Sequence, residues 1–281
     1  MIDSMYKIDE NIDLDNCLDS YFGLHNKTRW NTFKDKKVVI TGAGTGYGQA
    51  LAVALLVAGA EVYLIGRRYE KLLETTKISD ALIGVTCHHK CIKCDLTDVH
   101  QVDSVVSEIK SFTHNIDILI NCAGVPASNN ASLLNATPIR WDEMFNINLK
   151  AQWLVSKRLF ELMQNSKIAR ILFFTSGAGW ADTDGFGLYN ISKAAVNSLS
   201  MSMAKEYQSK FPDKVISINC INPGEAKTEM NASSSISAYS ICSMVLTLLS
   251  TEKNIPNGHF FHRDGRHLRF CDAREYPYTL E

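Results

Sequence analysis

The sequence lacks a hydrophobic run long enough to cross a membrane, and it lacks a strong charge of either sign. The longest apolar run lies near residues 51–60, far short of the about 20 apolar residues that a bilayer requires. The first five residues are acidic and carry no apolar stretch of the kind that a secretory signal needs. The formal net charge is −1, which excludes a long-range field toward nucleic acid or an anionic membrane. We therefore expect a soluble cytoplasmic protein whose partner is a small-molecule substrate, not nucleic acid or a membrane.

The cysteines lack the regular spacing of a disulfide framework. Eight are present, and in a reducing compartment they are most simply free thiols. The run 87–94, Cys-His-His-Lys-Cys-Ile-Lys-Cys, has the composition of a zinc site. However, a strand is expected over 90–94, and a strand turns alternate side chains to opposite faces, so four ligands cannot converge on one ion. We predict no metal site.

The length and composition are those of an α/β protein with a large core. The chain has 281 residues, of which 46% are hydrophobic. Residues 1–35 are rich in Asp and Asn, with aromatic residues toward their end, and we interpret them as an N-terminal extension that packs by these aromatics. Residues 36–281 form the predicted catalytic domain.

From residue 36 onward, strand-like and helix-like patterns alternate. Strands are predicted over 38–41, 61–65, 90–94, 117–121, 170–175 and 215–221, and helices over 47–58, 99–112, 141–164 and 189–211. This alternation predicts a Rossmann-type, doubly wound parallel sheet in a three-layer α/β/α sandwich with right-handed crossovers.

A glycine-rich turn separates the first predicted strand from the first helix. Its sequence is Thr-Gly-Ala-Gly-Thr-Gly-Tyr-Gly over 41–48. Glycines let the backbone approach a pyrophosphate closely, and the following helix N-terminus offers free N–H groups to that anion. The alternative is an ordinary glycine-rich turn, but the flanking strand and helix favour a dinucleotide site.

The end of the second predicted strand indicates which dinucleotide is bound. An NAD site often places a carboxylate about 20 residues after the glycines, where it accepts hydrogen bonds from the ribose hydroxyls. Here the strand ends in Gly-Arg67-Arg68, and two guanidinium groups suit a 2′-phosphate. The alternative is a pair of solvated arginines at a helix start. The pattern favours NADP over NAD.

Three further residues indicate acid–base chemistry. Tyr189 and Lys193 are four residues apart in a helical pattern, so they share a face. An unperturbed tyrosine has a pKa near 10, and a neighbouring ammonium group would lower that pKa toward the operating pH. Ser176 follows the strand 170–175 at its carboxyl end, where open α/β sheets place ligands and where a hydroxyl can bind a substrate oxygen. Each signal alone also arises by chance.

The chain resembles the typical single-domain short-chain dehydrogenase/reductase family in these three residues, in the glycine-rich turn and in four other short motifs. The additional motifs are Cys-Asp95-Leu-Thr, Asn121-Cys-Ala-Gly, Ile-Asn148-Leu and Asn-Pro-Gly224 with Thr228. The likeness covers about residues 36–269.

The resemblance implies a role for each site residue. Tyr189 would be the general acid/base, Lys193 would lower its pKa and hold the nicotinamide ribose, Ser176 would orient the substrate oxygen, and Asn148 would support a water that relays protons. The implied cofactor-binding residues are Gly42, Thr45, Gly46, Tyr47, Gly48, Arg67, Arg68, Asp95, Leu96, Asn121, Ala123, Gly124, Tyr189, Lys193, Pro223, Gly224, Ala226 and Thr228. Thr45 stands where some NADP-binding members carry a basic residue, so the NADP prediction depends on the two arginines.

The resemblance places substrate specificity in three variable regions: 125–127, 177–188 and the segment after Thr228. The second region contains Asp182 and Asp184, and the third is polar over 229–235. These groups indicate a hydroxylated substrate such as a sugar or polyol; alternatively, they face solvent at the rim. Arg263 and Arg266 are interpreted as surface or interface charges, or as contacts to an anionic substrate from a neighbouring subunit.

We therefore expect an NADP(H)-dependent oxidoreductase that interconverts a carbonyl and an alcohol on a small polar substrate. One alternative is reduction of a 3-oxoacyl thioester on a carrier protein, and another is an idle NADP-binding regulator. By the same resemblance, the long helices 141–164 and 189–211 would pair between subunits and give a homodimer or homotetramer.

Overall fold

The computed structural model describes residues 30–127, 131–179 and 185–269. Their strands form one sheet in the order β3-β2-β1-β4-β5-β6-β7-β8, in which the first seven run parallel and β8 is antiparallel to β7. The strands are β1 Lys37–Thr41, β2 Glu61–Gly66, β3 His89–Lys93, β4 Ile118–Asn121, β5 Ile168–Phe174, β6 Val215–Asn222, β7 His259–His262 and β8 His267–Arg269.

Helices connect the parallel strands. They are α1 Gly46–Val57, α2 Tyr69–Ile83, α3 Val99–Phe112, α4 Pro138–Phe145, α5 Ala151–Met163, α6 Leu188–Lys210 and α7 Cys242–Ser250. Short 3₁₀ turns lie at Asn31–Phe33, Leu133–Asn135, Gly177–Gly179 and Ala238–Ile241. None of the helices in the described ranges is both long enough and apolar enough to span a bilayer.

Two separate hydrophobic cores confirm the predicted three layers. One core packs α1 and α7 against strand residues such as Val38, Ile40 and Leu64. The other packs α3, α5 and α6 against the intervening strand residues, such as Val39 and Ile65. Because successive strand side chains point to opposite faces, alternate residues of the same strands belong to the two cores. Both faces of the sheet are therefore covered by helices, as in a Rossmann-type fold.

The predicted elements are present, and the differences concern their ends and one interruption. The helix expected over 141–164 begins three residues earlier, where Thr137 caps it: its Oγ1 accepts a hydrogen bond from the Arg140 N–H. It is then interrupted by a π-helical turn at Asn146–Lys150. Such turns are rare and frequently lie at functional sites. This one places Asn148 toward the carboxyl end of the sheet.

The aromatic end of the predicted N-terminal extension packs on the domain. Trp30 and Phe33 are buried and belong to the core beneath α1, and the Asp35 N–H donates to the Gly59 carbonyl at 3.0 Å. The packed unit therefore begins before residue 36. Tyr21 and Phe22 lie outside the described residues.

The cysteine-rich run has the expected strand placement. Cys91 packs on one core, whereas Cys94 lies in the core on the other face of the sheet. Two potential sulfur ligands therefore point away from each other. The described cysteines are free thiols, at positions Cys87, Cys91, Cys94, Cys122, Cys220 and Cys242.

Candidate active site

The loops after β1 and β4 meet at the carboxyl edge of the sheet. The Thr41 hydroxyl accepts hydrogen bonds from the backbone N–H groups of Cys122 and Ala123, at 3.1 and 3.2 Å. Gly42 has a φ of 69°, and a Cβ at this position would lie 2.9 Å from the Ala123 Cα. Only glycine tolerates both this dihedral and this approach. The two loops are thereby fixed side by side, with the glycine-rich turn on one side of a cleft.

Helix α1 begins directly at the glycine-rich turn. Its N-cap residue, Thr45, makes no side-chain capping bond, so the first N–H groups of a twelve-residue helix keep their capacity to bind an anion. Gly46 has a φ of 56°, and the Thr228 side chain lies over it, 3.1 Å from an ideal Cβ. The turn, the helix N-terminus and Thr228 together form a cradle that fits a pyrophosphate.

The two arginines after β2 differ in their surroundings. Arg68 donates from Nη1 to Glu229 Oε1 at 3.1 Å and from Nη2 to Glu229 Oε2 at 2.6 Å. Arg67 is exposed, and its guanidinium has no ion-pair partner among the residues that the structure describes. Both side chains expected to bind a 2′-phosphate are exposed, but Arg68 already holds a carboxylate and Arg67 does not.

Asp95 and Leu96 follow β3 on the same edge of the sheet. Asp95 Oδ1 accepts hydrogen bonds from the Thr97 N–H at 3.0 Å and the Thr97 hydroxyl at 2.7 Å. Leu96 is buried in the core beneath. The loop after β3 is thereby held by its own carboxylate, which remains half-exposed at the cleft.

The side chain of Asn121 does not point into the cleft. It is fully buried, and its Nδ2 donates to the Ser156 hydroxyl of α5 at 2.9 Å. Any contact of Asn121 with a nucleotide would therefore use its backbone. The next residues do face the cleft: an ideal Cβ at Gly124 would lie 3.7 Å from Lys193 Nζ.

Helix α6 brings the tyrosine and lysine together as their spacing predicts. Lys193 Nζ lies 5.5 Å from the centre of the Tyr189 ring and donates to the Phe174 carbonyl at 2.9 Å. Ser176, which arrives from the end of β5, lies beside the Tyr189 phenol and acts to lower its pKa. The three predicted catalytic side chains therefore form one cluster.

Burial dominates the protonation of this cluster. It raises the pKa of the Tyr189 phenol, and the hydrogen bond with Ser176 opposes that rise. Burial lowers the pKa of Lys193 to about 8. The sequence predicts a lowered tyrosine pKa from the ammonium, and the structure differs because burial raises the Tyr189 pKa more than Ser176 lowers it.

Asn148, in the π-helical turn, closes one wall of the site. Its Oδ1 accepts from the Val125 N–H at 2.8 Å, and its Nδ2 donates to the Val125 carbonyl at 3.2 Å. Nδ2 also donates to the Ser192 hydroxyl at 3.1 Å. Asn148 thus joins the loop after β4 to helix α6, close to Lys193.

The segment after β6 covers the opposite side of the cleft. The Tyr47 hydroxyl donates to the Gly224 carbonyl at 2.9 Å, which ties this segment to the start of α1. The Arg263 side chain packs against Gly224 and donates to the Glu225 carbonyl at 3.0 Å. Arg263 is therefore part of the wall of this site, in addition to lying near the surface. Pro223 and Ala226 are buried below.

A cavity of about 250 Å³ opens beside Tyr189. Its wall comes from the loop after β4, the N-terminal part of α4 and the start of α6. The lining residues are Ala127, Ala131, Ser132, Asn135, Ala136, Thr137, Arg140, Met144, Phe186, Leu188 and Tyr189. Residues 131–140 carry no motif, so sequence reasoning does not find them. Asp182 and Asp184 lie outside the described residues, and the segment after Thr228 lines a different cavity.

A family model described as short chain dehydrogenase matches residues 36–237. The chain belongs to the short-chain dehydrogenases. Two relatives among the curated proteins of this family are uncharacterized oxidoreductases from Staphylococcus aureus. The one from strain MW2 is 30% identical over 199 residues, and the one from strain USA300 is 28% identical over 199 residues. Each match covers 70% of this chain and 81% of the relative.

Solved short-chain dehydrogenases share the fold. A structure from Shigella flexneri 2a, complexed with NADP, has a TM-score of 0.75 at 24% identity and covers 83% of this chain and 99% of that one. A structure from Escherichia coli CFT073, complexed with NADPH, has the same TM-score at 23% identity and covers 83% of this chain and 98% of that one. At these identities the likeness establishes the Rossmann-type architecture.

One positioning residue of this short-chain dehydrogenase has no sequence signal. Asn197, one turn after Lys193 on α6, accepts from the Thr175 hydroxyl at 2.6 Å and donates to the Gly179 carbonyl at 3.1 Å. The two bonds hold residues that precede and follow Ser176 in the chain. Asn197 thereby ties the serine turn to the helix that carries the tyrosine, which only the folded structure makes visible.

Proposed function

We propose that this short-chain dehydrogenase uses NADP(H) to interconvert a carbonyl and an alcohol on a small polar substrate. The observation that carries this proposal is the placement of Ser176 and Tyr189 beside buried Lys193, at the mouth of a cavity. The pair can hold a substrate oxygen and supply or accept its proton, which is the protein's share of such a reaction.

The residues present fit a phosphorylated dinucleotide. The uncapped start of α1 provides a site for the pyrophosphate, and exposed Arg67 provides a cation for a 2′-phosphate. Two structures of similar fold hold NADP or NADPH. When bound, the nicotinamide supplies or accepts the hydride. NAD is the less favoured cofactor because β2 is followed by Gly66-Arg67-Arg68, with no carboxylate.

Side chains of the protein position the substrate and transfer the proton. Ser176 donates a hydrogen bond to the substrate oxygen and keeps it next to the phenol. In the reducing direction Tyr189 gives its proton to that oxygen as negative charge develops there. Lys193, held by the Phe174 carbonyl, lies close enough to stabilise the phenolate that remains. Asn148 keeps the loop at Val125 and helix α6 at a fixed separation, and we assign it the support of the proton relay to Lys193.

Four polar side chains support a polar substrate. Ser132, Asn135, Thr137 and Arg140 line the cavity together with small and apolar residues. A volume of about 250 Å³ lies just below the usual range for ligand sites, about 300–1,000 Å³. A sugar- or polyol-sized carbonyl compound satisfies both observations better than a long acyl chain or a steroid.

We also propose a homodimer or homotetramer in the cytoplasm. Trp141, Trp153 and Ile191 are exposed on α4, α5 and α6, the helices expected to pair between subunits. Free thiols at the described cysteines agree with a reducing compartment. Light scattering after size-exclusion chromatography measures the assembly directly.

The proposal is tested by following NADPH oxidation with a panel of sugars, ketones, quinones and acyl thioesters. On the best substrate, Tyr189→Phe keeps the ring packing and removes only the hydroxyl. Acid–base groups contribute about 10²–10⁴-fold, so we expect kcat to fall by that factor while NADPH affinity changes little. A wild-type kcat in Tyr189→Phe contradicts the assignment.

The panel also separates the alternatives. A preference for acyl thioesters would favour the carrier-protein reductase. Stoichiometric NADPH binding with no turnover on any compound would favour a regulator.

A further inference from the structure

The segment that follows β6 is fastened across the mouth of the cofactor cleft. Thr228 packs on Gly46 of the glycine-rich turn, and the next residue, Glu229, reaches Arg68 at the start of α2. Arg68 in turn follows Arg67, the arginine that we propose binds the 2′-phosphate. One ion pair therefore joins the two sides of the cleft at positions directly adjacent to proposed cofactor ligands.

The contact between Arg68 and Glu229 is bidentate. Both Glu229 oxygens are held, one by each terminal nitrogen of Arg68, at 3.1 and 2.6 Å. Bidentate contacts of this kind fix orientation as well as distance. The hydrogen bond from Arg68 lowers the pKa of Glu229, so the carboxylate is ionised at neutral pH. The pair lies at the edge of a cavity of about 450 Å³ lined in part by Thr45, Gly46 and Thr228.

We propose that the Arg68–Glu229 pair is a strap that holds the segment after β6 over the bound nicotinamide cofactor and slows its release. The inference rests on the proposed function, since it requires a dinucleotide in this cleft. Glu229 is a positioning residue in this scheme, because it acts through Thr228 and the backbone of its own segment.

In a competing interpretation, the Glu229 carboxylate occupies the position on Arg68 where a 2′-phosphate would bind. Arg67 argues against that interpretation, because it presents an uncommitted guanidinium beside the pair among the described residues. A phosphate that displaced Glu229 from Arg68 would only exchange one anion for another. The two interpretations differ in a measurable way. A strap retains NADPH and NADH alike, whereas a competitor affects only the cofactor that carries a 2′-phosphate.

The expected effect is modest because the pair is exposed. The Arg68 and Glu229 side chains are 56% and 53% accessible, and exposed ion pairs change equilibria by about two- to fivefold. Salt screens such charges over about 10 Å at 0.1 M. Release from the wild type should therefore accelerate with ionic strength, and release from a variant without the pair should respond less.

The test measures dissociation of NADPH and NADH separately, by stopped-flow fluorescence while excess oxidised nucleotide displaces each one, with no substrate present. Glu229→Gln removes the charge and keeps the size of the side chain. Asp103→Asn is the matched control, because it breaks another exposed contact at 2.6 Å, to Arg158, away from the cleft.

We expect Glu229→Gln to release both nucleotides about two- to fivefold faster, with Asp103→Asn unchanged. Arg68→Glu should release NADH equally fast, and the reversed pair Arg68→Glu/Glu229→Arg should return NADH release close to the wild-type rate. Unchanged release in Glu229→Gln, or tighter NADPH binding with NADH unaffected, overturns the strap while leaving the cofactor assignment intact. If the wild type binds neither nucleotide, the proposed function itself is wrong.

Discussion

Replacing Asn197 should damage catalysis beyond its cost in stability. The side chain is 4% exposed, and Asn197→Ala removes its bonds to the Thr175 hydroxyl and the Gly179 carbonyl. The hydroxyl has a second acceptor, since the Lys193 carbonyl lies 3.2 Å away. Only the Gly179 carbonyl is left without its partner, which costs about 1–3 kcal/mol for a buried group.

The catalytic effect comes from the turn that these bonds hold. Ser176 lies between Thr175 and Gly179, so loosening the turn shifts the hydroxyl that orients the substrate oxygen. A misplacement of about 1 Å can cost roughly 10²-fold in rate. We expect kcat to fall about 10- to 100-fold on the substrate found by the panel, with NADPH affinity nearly unchanged.

A second buried asparagine provides the control. Asn219 is 2% exposed, and it accepts from the His259 N–H at 2.9 Å and donates to the Pro256 carbonyl at 2.9 Å, away from the catalytic cluster. Asn219→Ala should lose at least as much free energy of unfolding, measured by urea denaturation, and keep its kcat. If Asn197→Ala and Asn219→Ala lose stability to a similar degree and both turn over at the wild-type rate, Asn197 does not position Ser176.

Four further outcomes are expected. Arg67→Ala should weaken NADPH binding about tenfold to a hundredfold, as for a charge-assisted phosphate contact, and leave NADH binding nearly unchanged; a wild type that prefers NADH contradicts this. Burial lowers the folded-state pKa of Lys193 to about 8, so the unfolded chain binds more protons than the folded one between about pH 8 and 10.5. The free energy of unfolding contributed by this group should therefore rise with pH in that window. Urea titrations of the wild type and Lys193→Met should diverge there. Phe33→Ala should cost about 3–5 kcal/mol, and a chain that begins at Trp30 should still bind NADPH whereas one that begins at residue 36 should melt at a lower temperature. Elemental analysis should find no stoichiometric zinc, and one zinc per chain would contradict the strand argument for Cys87–Cys94.

Sequence patterns were sufficient to predict the fold class because the spacing of apolar residues indicates which face of an element is buried. Most strands are buried on both faces, so they stand out as short apolar runs, whereas β3 is largely polar with one buried residue; the structure confirms each predicted strand to within two residues at either end. Helices α2 and α7 are not among the predicted elements, and α2 shows no such apolar pattern. Its buried positions are Leu72 and three hydroxyl-bearing residues, Thr75, Thr76 and Ser79, whose burial depends on hydrogen bonds that apolar periodicity does not record.

The difference between local and long-range contacts explains which parts of the site could be predicted from the sequence. Tyr189 and Lys193 are neighbours by helical geometry, so their spacing alone predicts their contact. Arg68 and Glu229 are 161 residues apart, and their pairing depends on how the segment after β6 folds back over the glycine-rich turn. Local spacing carries information only about contacts within an element.

The two arginines after β2 show how one sequence motif can contain residues with different surroundings. Both carry the charge that a 2′-phosphate requires, and their adjacency made them equivalent in the sequence. In the fold they differ, since Arg68 holds Glu229 and Arg67 has no ion-pair partner among the described residues. In our proposals, Arg67 selects the cofactor. Arg68, through Glu229, governs how long either cofactor stays. Selection and retention are then separable by mutation, because Arg67→Ala should discriminate between NADPH and NADH and Glu229→Gln should not.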